Sequence, residues 1–271
     1  MDYLTFFPFV ILLSAILTGF LAGLLGLGGG ILTVPLILYW LEKEFGAINY
    51  SQQIAVGTSF AIIFFTVISS TLTHHHKGYI SWTIVKKMAG YLALGTFLGA
   101  CLSLYLPSFY LKLVFIFFLY TLALTQLFRL IRPAQPRLQT LSSSKVGLVG
   151  FLIGLVASWL GIGGGSMLVP FLLNYQNDIR IAIGTSSALS LPISAIGAIM
   201  YLAPGLTSHP TLPPHTLGFI YLPAFICLSL ATAVFSPLGA RVSHHTSPYW
   251  LKGFFILLLI SIASKLLWSL A

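Results

Sequence analysis

Charge is what this chain has least of. Only 6% of its 271 residues are Asp, Glu, Lys or Arg, against about a quarter in a soluble domain. A water-facing surface cannot be built from so few charges, which excludes a soluble globule of this size. Disorder is excluded as well: 58% of the residues are hydrophobic, and disordered chains lack apolar surface to bury. Acids are scarcest. The four present, Asp2, Glu42, Glu44 and Asp178, all lie at the ends of apolar segments. A cation site, an aspartyl protease, a di-metal centre or a carboxylate proton relay would need acids inside those segments. Cysteine is nearly absent. Cys101 and Cys227 lie in apolar runs without metal-ligand spacing; they read as buried thiols and indicate no disulfide framework.

What the chain has is apolar length. Runs cover 4–40, 54–73, 88–106, 109–131, 146–173, 179–203, 216–238 and 248–269. The class is an all-α polytopic membrane protein with the lipid bilayer as its solvent. The net charge of +9 does not imply nucleic acid. Most basic residues sit at run ends, where the positive-inside rule accounts for them, and no nucleic-acid-binding motif is present. The N-terminal run continues to Trp40 without a basic region before it, so it reads as a retained membrane segment rather than a cleaved signal peptide.

The run 4–40 is too long. As one straight helix it would reach about 55 Å, against a hydrocarbon core of about 30 Å. The sequence Gly26-Leu27-Gly28-Gly29-Gly30, followed by Pro35, supplies a break: glycine loosens a helix and proline removes a backbone donor. The run 146–173 repeats it as Gly161-Ile162-Gly163-Gly164-Gly165, followed by Pro170. Further matches follow in order. Ala55-Val56-Gly57-Thr58-Ser59 pairs with Ala182-Ile183-Gly184-Thr185-Ser186, Gly78-Tyr79-Ile80 with Gly218-Phe219-Ile220, Gly99-Ala100 with Gly239-Ala240, and Phe109–Lys112 with Tyr249–Lys252. The offsets drift only between 127 and 140, as loop insertions would make them do. The chain is expected to be two homologous halves, 1–128 and 146–271, of about four transmembrane helices each with Gly-broken helices in each half. The basic segment 129–145 links them and is expected in the cytoplasm. Four spans per half would put both termini and the linker on one face. That face would carry eight basic residues against five, favouring cytoplasmic termini.

Internal repeats with interrupted helices at matching positions mark secondary transporters, whose half-helix ends meet the substrate near the midplane. A helix restarting after a glycine run presents N–H groups without intrahelical partners, and its dipole adds partial positive charge. Such an end binds anions. The candidate substrate-binding residues are therefore Gly28, Gly29 and Gly30 with Thr58 and Ser59, and Gly163, Gly164 and Gly165 with Thr185 and Ser186. Helix packing is the competing reading, because Gly26–Gly30 and Gly161–Gly165 also have G-x-x-x-G spacing. For Gly19–Gly23, Gly95–Gly99 and Gly150–Gly154 packing is the preferred reading. The hydroxyls could equally bond back into their own helices. The run His74-His75-His76 has no cysteine or carboxylate partner nearby and reads as an interfacial loop, not a metal site.

The repeated G-x-G-G-G signature with its proline, and the Gly-Thr-Ser that follows each copy, resemble the TauE/SafE sulfite exporter family of membrane proteins. The resemblance covers both halves. It implies a multi-pass permease of the inner (plasma) membrane, exporting small anions such as sulfite, sulfoacetate or related organosulfonates, with no cofactor. Pro35 and Pro170 belong to the matched positions alongside the glycines and hydroxyls named above. The alternative is a membrane-embedded enzyme or accessory protein without transport activity. An enzyme would need a nucleophile with a base or a metal cluster, and the chain has no H-E-x-x-H, no G-x-S-x-G and no intramembrane Asp pair. Assembly into a homo-oligomer stays open.

Overall fold

A computed structural model describes residues 3–25, 30–46, 48–131, 143–175, 178–207, 212–245 and 247–270. Ten helices fill them: α1 (Tyr3–Leu25), α2 (Gly30–Phe45), α3 (Ser51–His76), α4 (Trp82–Tyr105), α5 (Ser108–Ile131), α6 (Ser143–Leu160), α7 (Gly165–Leu172), α8 (Ile179–Thr207), α9 (Leu222–His245) and α10 (Pro248–Trp268). A short antiparallel pair, β1 (Thr216–Leu217) and β2 (Ile220–Tyr221), precedes α9. The protein is an all-α polytopic membrane protein. Six helices among the described residues, α3, α4, α5, α8, α9 and α10, are long and apolar enough to cross a bilayer.

Both overlong runs are interrupted where the glycines fall: α1 stops at Leu25 and α2 starts at Gly30, and α6 stops at Leu160 and α7 starts at Gly165. The interrupted helices do not continue across the bundle. Phe45, at the end of α2, lies at the same end of the molecule as Ser51, Ser108, β2 and Trp268. Ser108 Oγ donates to Asn49 O (2.6 Å), and Tyr221 Oη donates to Glu44 Oε2 (2.6 Å). We call this the upper end. The lower end carries His76, Trp82, Ile131, Ser143, Ile179 and Pro248; there Ser81 N donates to Thr185 Oγ1 at 2.9 Å.

Glycines set the direction of the interrupted helices. A Cβ on Gly19 would meet Ala231 O at 2.7 Å, and one on Gly239 would collide with Phe20 O. Residue numbers rise together along the contact, so α1 runs parallel to α9, downward from the upper end. The equivalent contact joins α6 to α4: Gly154 abuts Leu92 O, Gly95 abuts Phe151 O and Gly99 abuts Leu155 O. Small residues let these backbones approach within the bilayer, where lipid supplies no hydrophobic drive for helix association. Packing is thus the role of Gly19, Gly95, Gly99 and Gly154.

This geometry corrects the expected topology. α1 descends and α2 returns to the upper end; α6 rises and α7 returns to the lower end. Each interrupted pair begins and ends on one side, leaving three crossing helices on either side of segment 132–142. An odd number of crossings places the start of α1 and the end of α10 at the upper end, and Ile131 and Ser143 at the lower. The start of α1 and the end of α10 lie opposite the linker flanks, not on one face with them. The extra crossing counted in the sequence came from reading each interrupted run as a single span.

Within the bundle, α3 packs along α8 and α5 along α10, while α1 joins α9 and α4 joins α6. The core follows these seams, with Phe60, Phe115, Tyr201 and Phe219 fully buried. Tyr201 Oη lies 2.7 Å from Ser103 Oγ and donates to Ser158 O (2.9 Å), tying α8 to α4 and α6. At the upper end burial pushes the Tyr221 phenol above its ordinary pKa, and the Glu44 carboxylate adds to the shift, so it stays a hydrogen-bond donor.

Candidate functional site

The two breaks meet in the middle of the bundle. Gly30 rests on the unwound backbone of the second break: a Cβ there would meet Gly161 O at 2.6 Å and Ile162 Cα at 2.9 Å. Gly161 itself has φ 65° and Gly164 φ 78°, left-handed values that glycine adopts without steric cost. Gly28 and Gly29 lie outside the described residues.

The four hydroxyls of the Gly-Thr-Ser motifs have different surroundings. Thr58 is fully buried. Its Oγ1 donates to Ile54 O (2.7 Å) and accepts from Tyr221 N (2.9 Å). Thr185 Oγ1 accepts from Ser81 N in the same manner. The preceding glycines complete the match: a Cβ on Gly57 would meet Phe219 O at 2.6 Å, and one on Gly184 would collide with Tyr79 O. Each Gly-Thr pair therefore seats the backbone of the segment before α9 or α4. One clasp lies toward the upper end and the other toward the lower. Ser59 Oγ donates to Gly161 O (2.7 Å) and lies 2.9 Å from Thr33 Oγ1. Since the Ser59 proton is on Gly161, Thr33 is the donor of that second bond. The Thr58 and Ser59 protons are thus committed to carbonyls, so neither hydroxyl is placed to donate to a ligand in this conformation.

The second break differs. Gly164 caps α7, and its carbonyl accepts from Met167 N (3.0 Å) and Leu168 N (2.7 Å). The N–H groups of Gly165 and Ser166 find no acceptor among the described residues. Ser166 Oγ is buried without a hydrogen-bond partner. Ser186, 3% exposed, has its Oγ 3.8 Å from the position a Gly165 Cβ would take. No hydrogen bond engages that hydroxyl among the described residues. Ser190 and Ser194 continue the same face of α8, each donating to the carbonyl four residues back (2.9 and 2.8 Å). A Cβ on Gly163 would meet Ile63 Cγ2 at 2.9 Å and Ser190 Cβ at 3.5 Å.

The structure thus brings Gly163, Gly164, Gly165 and Ser186 together and holds Gly30 and Ser59 against the rear of the same break. Thr58 and Thr185 stand apart from it in the clasps. Ser166 was missed by the motif comparison because its counterpart in the first half is Ile31. Its position one residue into the restarted helix was the available signal. The described acids stay at the two ends: Glu42, paired with Lys112, and Glu44 at the upper end, and Asp178 at the lower. The cluster combines free amide donors, a helix N-terminus and two hydroxyls, which suits an oxyanion. No group of three or more His, Cys, Asp or Glu able to hold a metal occurs among the described residues.

The sulfite exporter TauE/SafE family model matches residues 11–266. The chain belongs to this family. It is 34% identical over 259 residues to a "probable membrane transporter protein" of Haemophilus influenzae, covering 95% of this chain and 97% of that one. YdhB of Bacillus subtilis, which carries the same description, is 27% identical over 214 residues, covering 77% and 84%. A protein so described from Methanocaldococcus jannaschii is 26% identical over 257 residues, covering 93% and 91%. No solved structure matches the chain. A TauE/SafE family member with interrupted helices meeting at its centre is a multi-pass membrane protein.

Proposed function

We propose that this TauE/SafE protein is a secondary transporter of small anions, exporting sulfite, sulfoacetate or related organosulfonates, with its substrate held at the second helix break. The observation that carries this reading is the buried Ser166 hydroxyl, unpartnered at an N-terminus whose first amides are also free. Burying an unsatisfied polar group costs about 1–3 kcal/mol, and a sulfonate oxygen would satisfy it. Family membership and the relatives' description as membrane transporters support the same conclusion.

The two halves, 1–128 and 146–271, read as an inverted repeat around this site. Their helices follow one order, and their Gly-Thr clasps exchange backbone segments reciprocally. Because the clasps sit toward opposite ends, releasing one while keeping the other would open the site to one side only, as alternating access requires. The corrected topology supports an assignment of sidedness. Among the described residues the lower end carries eight basic side chains (Lys77, Lys86, Lys87, Arg129, Lys145, Arg180, Arg241 and Lys252) and the upper end three (Lys43, Lys112 and Lys265). This bias supports a cytoplasmic lower end under the positive-inside rule, with the start of α1 and the end of α10 facing outward across the plasma membrane.

Counterflow of labelled sulfite and sulfoacetate in proteoliposomes tests the function. Accumulation driven by internal unlabelled anion is expected, reduced at least tenfold by Ser166→Ala. Absence of counterflow with every sulfur oxyanion tried, from protein that is folded and inserted, would overturn it.

A further inference from the structure

The three basic residues of the upper end converge. Lys43 Nζ and Lys265 Nζ both stand over the Tyr39 ring, 5.8 and 4.3 Å from its centroid. Lys112 Nζ pairs with Glu42 Oε1 at 2.6 Å. Lys265, Tyr39 and Glu42 line a cleft of about 400 Å³ between α1, α2 and α10, and Lys43 reaches its edge over the Tyr39 ring. Leu17, Leu21, Leu36, Leu258 and Ile262 make its walls apolar, and Tyr39, Glu42, Lys265 and Ser269 form its polar rim. A second depression, of about 460 Å³, shares Glu42 and Ser269 with the first and continues to Asn49, Ser108 and Lys112.

Isolated snorkelling would give each lysine its own route to water, with no reason to share one ring. Glu42 and Lys112 cancel each other. Lys43 and Lys265 form no ion pair with a carboxylate among the described residues; Glu44, the other acid of this end, is turned to the Tyr221 hydroxyl, so the Tyr39 side of the cleft presents two lysines without a paired carboxylate. Below them lies an apolar slot long enough to involve three helices.

We propose that this cleft binds one anionic phospholipid. An acyl chain lies between α1, α2 and α10, the phosphate sits between Lys43 and Lys265, and the polar headgroup reaches the depression beside Asn49 and Ser108. Pro35 also lines the cleft, so the chain would brace α2, the half-helix that starts at the first break. The inference does not depend on which anion the protein transports.

Native mass spectrometry of the full chain, titrated with phosphatidylglycerol or phosphatidylcholine in detergent, tests it. One phosphatidylglycerol should be retained in preference to phosphatidylcholine. Each lysine near a phosphate is expected to contribute about fivefold, so Lys43→Ala with Lys265→Ala should weaken retention about twenty-five-fold. Leu17→Trp, at an exposed wall position, should narrow the slot and weaken retention with both lysines intact. Lys86→Ala with Lys87→Ala at the lower end should change nothing. Glycerol 3-phosphate, which has the phosphate without the chains, should not displace the lipid. Equal retention of the two lipids, an unchanged double-lysine variant, or displacement by glycerol 3-phosphate would each overturn the proposal.

Discussion

Thr58 and Ser59 are neighbours in a motif repeated in both halves, yet their partners separate them. The Thr58 oxygen is the acceptor for Tyr221 N and the Ser59 proton is on Gly161 O. Repetition identified the residues, but it could not identify their partners, which come from the opposite half of the chain. Thr58→Val keeps the shape of the side chain and removes the acceptor, leaving a buried backbone N–H unsatisfied at a cost of about 1–3 kcal/mol. Thr185→Val should cost a similar amount through Ser81 N. Thermal unfolding in detergent should show both variants destabilised. Gly184→Ala should be worse than either, since its Cβ would strike the Tyr79 carbonyl, which cannot move aside like a flexible side chain. Unchanged melting in all three would dissolve the clasp.

The helix breaks were legible because length and composition disagree within one run: too many apolar residues for a single span, with five-residue glycine-rich stretches inside. Their consequence for direction was not legible. Hydropathy records that a segment is apolar, and it is indifferent to whether the chain crosses or turns back. The close contacts of Gly19 with α9 and of Gly99 with α6 fix the direction, and those depend on which helices meet. Gly19, Gly95, Gly99 and Gly154 were readable as packing seams from their Gly-x-x-x-Gly spacing, since small residues four apart have few other uses in a lipid-facing helix. Of the proposed site, the glycines and Ser186 were candidates from the sequence. Ser166 was hidden because it has no duplicate, and this asymmetry is what sets the second break apart.

At the scale of the whole molecule, an odd number of crossings on each side of the linker turns a weak charge bias into a strong one. Reading both termini and the linker on one face gave eight basic residues against five; the observed ends give eight against three among the described residues. The expected outcome is concrete. With Cys101 and Cys227 replaced by serine, a cysteine at Asn49 should react in intact cells with a membrane-impermeant maleimide. One at Lys145 should react only after the membrane is opened. The reverse pattern would invert the orientation.

The central claim is that an anion binds at the second break, while the Gly-Thr pairs hold the halves together. Calorimetric titration of purified, monodisperse protein with sulfite and sulfoacetate tests both parts at once. A hydrogen bond to a charged group contributes about 1.5–3 kcal/mol, so Ser166→Ala and Ser186→Ala should each weaken affinity by about tenfold to a hundredfold, with melting of the ligand-free protein not lowered and, for Ser166→Ala, raised. Thr58→Val should lower the melting temperature, and the protein that remains folded should bind with near-native affinity. If instead Thr58→Val abolished binding, and Ser166→Ala and Ser186→Ala left it intact, the anion would not be at the second break.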